Sequence, residues 1–138
     1  MGTRSLTYVY DETKTPIMCM YGQWDGYPSG YGADLSDFLN SFDCLVNGIP
    51  VGDNRKLANG MGCLSAQLVA NFKKNVGSFY LYPPVVGQDC GQEYEYHIYE
   101  DSVMVFSGYG KDNNVIFNGP WPDFAEFCSR GLCCVIGK

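Results

Sequence analysis

The sequence predicts an α+β fold in which an antiparallel sheet, a hairpin plus a meander, packs with two to three amphipathic helices in one domain spanning residues 1–138. Three observations predict it. Short β-rich runs follow one another near both ends of the chain without regular β-α-β alternation. Two segments between them carry apolar residues at helical spacing. A chain of 138 residues, 46% hydrophobic and 17% charged, suits a single core that buries about two thirds of the unfolded surface.

The elements follow in order. Leu6-Thr7-Tyr8-Val9-Tyr10 alternates, Asp11 to Pro16 is polar and turn-like, and Ile17 to Tyr21 is apolar again, which reads as a β-hairpin. A loop rich in glycine and aromatics runs from Gly22 to Gly32. Leu35, Phe38, Leu39 and Phe42 then repeat at i, i+3, i+4 and i+7, predicting a helix over residues 33–43. Residues 49–59 lack periodicity and carry Pro50, Gly52, Asp53 and Asn54, so they read as a loop.

Met61, Leu64, Leu68 and Phe72 share one face of a second helix, with Lys73-Lys74 in its last turn and Gly77 ending it. Ser78 to Tyr82 reads as a short strand terminated by Pro83-Pro84. Tyr94, Tyr96 and Ile98 alternate with Glu95, His97 and Tyr99, followed by Val103–Phe106 and Val115–Phe117, a three-stranded meander. Pro120-Trp121-Pro122 opens a short third helix bearing Phe124, Phe127 and Cys128. The apolar tail after Gly131 is expected to dock on the domain.

Composition removes several function classes. A net charge of −6 with scattered Lys and Arg argues against a reader of DNA or RNA backbones. No stretch approaches the length of a membrane span, and no secretory signal or myristoylation pattern opens the chain, so an intracellular protein is expected. Seven cysteines, an odd number, fit reduced thiols packed as small hydrophobes. Their spacing lacks the two short pairs of a structural zinc site, so no metal is expected. Nothing matches a dinucleotide fingerprint or a phosphate-binding Walker loop.

The candidate chemistry lies at three loops, each just before a predicted helix: Gly22 to Gly32, Asn59-Gly60-Met61-Gly62, and Asn118 to Pro122. Helix starts expose unpaired N–H groups and the positive dipole end, and glycine lets a phosphate approach the backbone. If the loops meet, Trp24, Tyr27, Tyr31 or Trp121 would stack on a base and Arg4 would pair a phosphate. Asp25, Asn59 and Asn118 would bond ribose or base edges, with Gly26, Gly60 and Gly62 giving close backbone access. The plainer reading is that glycine and proline punctuate helix starts while the aromatics pack beneath. Cys-His catalysis would need a thiol beside the only histidine, His97, which falls on a strand where a structural role is the rule. Acid/base pairs drawn from Asp25, Asp34 and Glu95 are unspecific, so no catalytic residue is assigned.

The opening Met1-Gly2-Thr3-Arg4-Ser5, the Trp24-Asp25-Gly26-Tyr27-Pro28 block, Asn59-Gly60-Met61-Gly62 and Phe117-Asn118-Gly119-Pro120 together resemble a family of small uncharacterised proteins of phages, other large DNA viruses and some bacteria. The likeness covers nearly the whole chain. That family has no settled activity, so it assigns no site residue. A phage-borne origin would imply a host-takeover or anti-defence role in the host cytoplasm. The leading expectation is a non-catalytic homo-oligomer that sequesters a phosphorylated nucleotide-type ligand, with no cofactor. The alternatives are an interaction protein gripping a host protein through Trp24–Pro28, and a nucleotide-processing enzyme.

Overall fold

The computed structural model describes residues 2–48, 55–108 and 114–137. Strands β1 (Ser5–Tyr10) and β2 (Pro16–Gly22) lead through a π-helical turn (Pro28–Gly32) into helix α1 (Ala33–Asn40). Strands β3 (Cys44–Val46) and β4 (Leu57–Asn59) precede α2 (Gly60–Phe72). Then come β5 (Phe79–Tyr82), β6 (Tyr94–Ile98), β7 (Val103–Ser107), β8 (Asn114–Gly119) and α3 (Trp121–Gly137). The fold is α+β, with a mostly antiparallel six-stranded sheet in the order β5-β2-β1-β6-β7-β8.

The expected hairpin is β1–β2 and the expected meander is β6–β7–β8. They are fused by a parallel pairing of β1 with β6, Ser5 opposite Tyr94 through Val9 opposite Ile98. Three local readings are corrected. Residues 57–59 are a strand, because they pair in parallel with β3 in a two-stranded ribbon, while residues 49–54 of that expected loop lie outside the described residues. Helix α2 stops at Phe72, before the lysines. Lys73 is its C-cap, and its ammonium turns back onto the carbonyls of Val76, Gly77 and Phe79. The third helix is long, since its backbone continues from Trp121 to Gly137 and takes in most of the apolar tail.

Strand alternation divides the buried residues between two faces. Val9, Met20, Tyr96, Ile98, Val103 and Val105 meet Leu35, Leu39, Leu64, Leu68, Phe124 and Cys128 of the three helices. On the opposite face Leu6, Tyr8, Tyr10 and Cys19 form a smaller cluster with Tyr21, Cys90 and Tyr99. Among the described residues no helix covers that second face; the segment from Pro83 to Gln92 does, with the Tyr8 hydroxyl donating to the Val85 carbonyl (2.8 Å) and Gln88 Nε2 lying 3.6 Å from Cys19 Sγ. Five cysteines with described side chains are free thiols. Burial pushes those of Cys19 and Cys128 up to about 12, so both are protonated near neutrality and poor nucleophiles.

Candidate functional site

The glycine-aromatic loop is a tightly folded plug at one end of the sheet. Gly26 N–H donates to the Thr3 carbonyl (2.9 Å), the Asp25 carbonyl accepts from Tyr31 N–H (2.7 Å), and the Tyr27 carbonyl accepts from Gly30 N–H (3.0 Å). A Cβ on Gly26 would stand 2.7 Å from Ser5 Cβ and 3.0 Å from the Thr3 carbonyl, so that glycine serves contact with β1. Asp25 holds a left-handed backbone at φ 54°, which an Asp tolerates. Tyr96 fixes the turn from below by donating its hydroxyl to the Gly26 carbonyl (2.7 Å).

Tyr31 does not face a ligand. It is 4% exposed, its hydroxyl lies 2.6 Å from Thr7 Oγ1, and its ring packs against Phe72, Phe79 and Tyr96. Trp24 and Tyr27 remain at the surface, Trp24 52% exposed. Arg4 sits at the same end of the sheet, half-buried, with its guanidinium against Gly91.

The other two loops lie at the opposite end. Trp121 Nε1 donates to the Tyr99 carbonyl (3.1 Å), and Met61 N–H donates to Glu12 Oε2 (2.9 Å), both beyond the far ends of β6 and β1. The six-residue length of β1 separates them from the Trp24 loop by roughly 17 Å at about 3.3 Å per residue. The three helix starts therefore do not converge.

Their surroundings are also wrong for phosphate. Glu12 occupies the start of α2. Asn59, Gly60 and Gly62 line a cleft of about 670 Å³ with Glu12 and Glu100, and Trp121 lines one of about 480 Å³ with Asp43, Glu100 and Asp101. Neither cleft has Lys or Arg among its lining residues, so a phosphate would be repelled. Asn59 spends its side-chain oxygen on Gly48 N–H (2.7 Å), and Asn118 lies on β8, exposed.

Exposed apolar side chains also gather at the β5 edge, next to the Trp24 loop. Gln23 N–H donates to the Ser78 carbonyl (2.9 Å) and Ser78 N–H to Gln23 Oε1 (3.1 Å), tying the residue before Trp24 to the residue before β5. Beyond that tie, Tyr80, Leu81, Tyr82, Val85 and Val86 all stand at the surface, Leu81 59% and Val85 57% exposed. The Tyr82 ring stacks on Tyr21 at 5.2 Å with planes 5° apart, so part of this surface is packed on β2. The sequence predicts this strand but not its exposure, because an apolar run reads alike on a buried strand and on an edge. Pro83-Pro84, which sheets confine to edges and ends, are compatible with an edge strand.

A buried polar network runs beneath the Pro83–Gln92 segment. The Tyr10 hydroxyl lies 2.6 Å from His97 Nδ1, His97 Nε2 lies 3.0 Å from Glu95 Oε1, and Gln92 Nε2 donates to Glu95 Oε2 (2.8 Å). With its proton on Nε2, His97 donates to Glu95 and accepts from Tyr10. Both ring nitrogens are thus engaged within the protein, and the ring stacks on Tyr8 at 4.9 Å and meets Phe106 edge-on at 5.0 Å. Glu95 and His97 touch a cleft of about 300 Å³. This network fastens segment to sheet and presents no free nucleophile.

Among the described residues no group of three or more His, Cys, Asp or Glu is placed to hold a metal ion, and no helix is long and apolar enough to cross a membrane. No protein-family model, curated protein or solved structure matches the chain.

Proposed function

We propose that this is a non-catalytic interaction protein that grips a protein partner through the surface formed by Trp24, Tyr27 and the β5 edge. The carrying observation is the set of exposed aromatic and aliphatic side chains gathered near this edge: Trp24 and Tyr27 in the loop, Tyr80 and Tyr82 on one face of β5, Leu81 on the other, and Val85 and Val86 beyond it. Patches of this kind mark contact sites, and Trp and Tyr supply most interface hot spots. The side chains, rather than the β5 backbone, make the grip, because Lys73 already holds the Phe79 carbonyl at 2.6 Å.

The nucleotide-type ligand of an anti-defence protein is the alternative reading. It would rest on Trp24 and Tyr27 as stacking faces, without the other two helix starts. The partner reading also engages the exposed side chains of the β5 edge and is preferred on that ground.

Site-specific photocrosslinking in cells that make the protein tests it. Crosslinkers at Trp24 and Tyr82 are expected to capture one and the same polypeptide, absent when the crosslinker replaces Asp123 on α3. Unlabelled protein should compete for that adduct and Trp24→Ala protein should not. Indiscriminate adducts from all three positions would contradict the proposal.

A further inference from the structure

Helix α2 ends beside the β5 edge, and between them lies a pocket of about 320 Å³. Met20 of β2, itself buried, closes the floor. Val69 of α2 and Phe79 and Leu81 of β5 form the walls, because Met20 pairs with Leu81 and all three strand residues fall on the face of the sheet that meets the helices. Tyr80 and Lys73, both exposed, complete the lining. One cation over apolar walls is the reverse of the two Glu100 clefts, whose lining holds carboxylates and no Lys or Arg.

The cation is held in place. The Lys73 ammonium donates to the carbonyls of Val76 (3.3 Å), Gly77 (3.0 Å) and Phe79 (2.6 Å) and lies 4.8 Å from the centre of the Tyr80 ring. Carbonyls and ring orient the charge without cancelling it, and among the described residues no carboxylate pairs with it. The Val76 carbonyl makes the longest of the three contacts and belongs to a residue 92% exposed, so it is the acceptor that an incoming carboxylate replaces.

The geometry points to the segment of the partner that enters here: an aliphatic or aromatic side chain buried against Met20, Val69 and Leu81, with an Asp or Glu next to it whose carboxylate sits on Lys73. The inference rests on the partner reading and names the chemistry that the surface recognises. Charge complementarity selects the acid, since an oriented, uncompensated ammonium beside apolar walls suits an anion attached to an apolar group. The chain carries a net charge of −6, so an acidic segment is repelled over much of the surface, and the cation at the pocket fixes where it docks. Tyr80 lines the pocket and also shares a face of β5 with Tyr82, so one polypeptide laid over the edge reaches the pocket and the tyrosines together. A side chain filling a pocket of this kind is the usual anchor of a protein interface.

Panning a phage-displayed library of random peptides on the full chain tests it. Recovered peptides are expected to share an aliphatic or aromatic residue next to Asp or Glu, and to shift the methyl resonances of Val69 and Leu81 when added to the wild-type protein. Replacing the acid of such a peptide by its amide should weaken binding roughly tenfold, the worth of a hydrogen bond to a charged group. Lys73→Glu protein should bind the acidic peptide at least as poorly; if that variant fails to fold, the amide peptide on wild type still reads the charge. Peptides that lack the pair, bind equally well as amides, or leave Val69 and Leu81 unmoved would overturn the inference, as would displacement of the peptide by micromolar octanoate, which would give the pocket to a free fatty acid. The partner reading itself falls only with the crosslinks at Trp24 and Tyr82, so the two failures are distinct.

Discussion

Replacing Tyr96 by Ala is expected to destabilise the protein by roughly 3–5 kcal/mol, the range for deleting a buried aromatic ring. Tyr96 is fully buried where three parts of the fold meet. Its ring stands edge-on to Tyr31 at 5.3 Å and to Phe124 at 6.1 Å, and its hydroxyl holds the Gly26 carbonyl at 2.7 Å. The cavity would open between sheet, π-helical turn and α3, where the Gly26 backbone already touches β1 and has little room to close in. Tyr96→Phe keeps the ring, loses only the hydrogen bond, and should cost about 1 kcal/mol. Urea denaturation of the two variants separates packing from hydrogen bonding. Equal and small losses would show that the loop is held by something else.

His97→Ala is the second large effect, expected at roughly 3–5 kcal/mol by the same denaturation measurement, from loss of the packed ring and of its two hydrogen bonds. It leaves the Tyr10 hydroxyl and Glu95 Oε1 without their imidazole partner inside the fold, and removes the ring packed against Tyr8 and Phe106. Glu95→Gln should cost less, because a Gln side-chain oxygen can still accept from His97 Nε2 while its amide contends with the Gln92 amide across the 2.8 Å contact. A His97→Ala variant as stable as wild type would mean that the segment from Pro83 to Gln92 is not anchored through this network.

The fold was readable where the signal is local. Alternation in Tyr94–Tyr99 gave both the strand and its two faces, so Glu95 and His97 were correctly set side by side, and the 3.6-residue spacing of Leu35, Phe38 and Leu39 gave α1. What joins distant segments was not readable. Nothing near Ser5–Val9 encodes a parallel pairing with Tyr94–Ile98, because backbone hydrogen bonds are indifferent to sequence separation and each strand's apolar pattern fits any neighbour with a matching face.

That pairing also decides which of the helix starts lie together. Glycine-rich helix starts carry the same composition whether they converge or lie at opposite ends of a sheet, and only the β1–β6 register puts Trp24 at one end and Trp121 at the other. Trp24 and Tyr27 were rightly expected at the surface. Tyr31, four residues further on, is core because the π-helical turn rotates it inward toward Thr7.

The most direct test of the central claim is native mass spectrometry of the protein isolated from cells that make its partner, followed by denaturation and identification of what is released. The account predicts a stoichiometric polypeptide that is released on denaturation and is absent from the Trp24→Ala protein, which itself remains folded because Trp24 is half exposed. A nucleotide-sized mass recovered from each subunit in place of a polypeptide would contradict it.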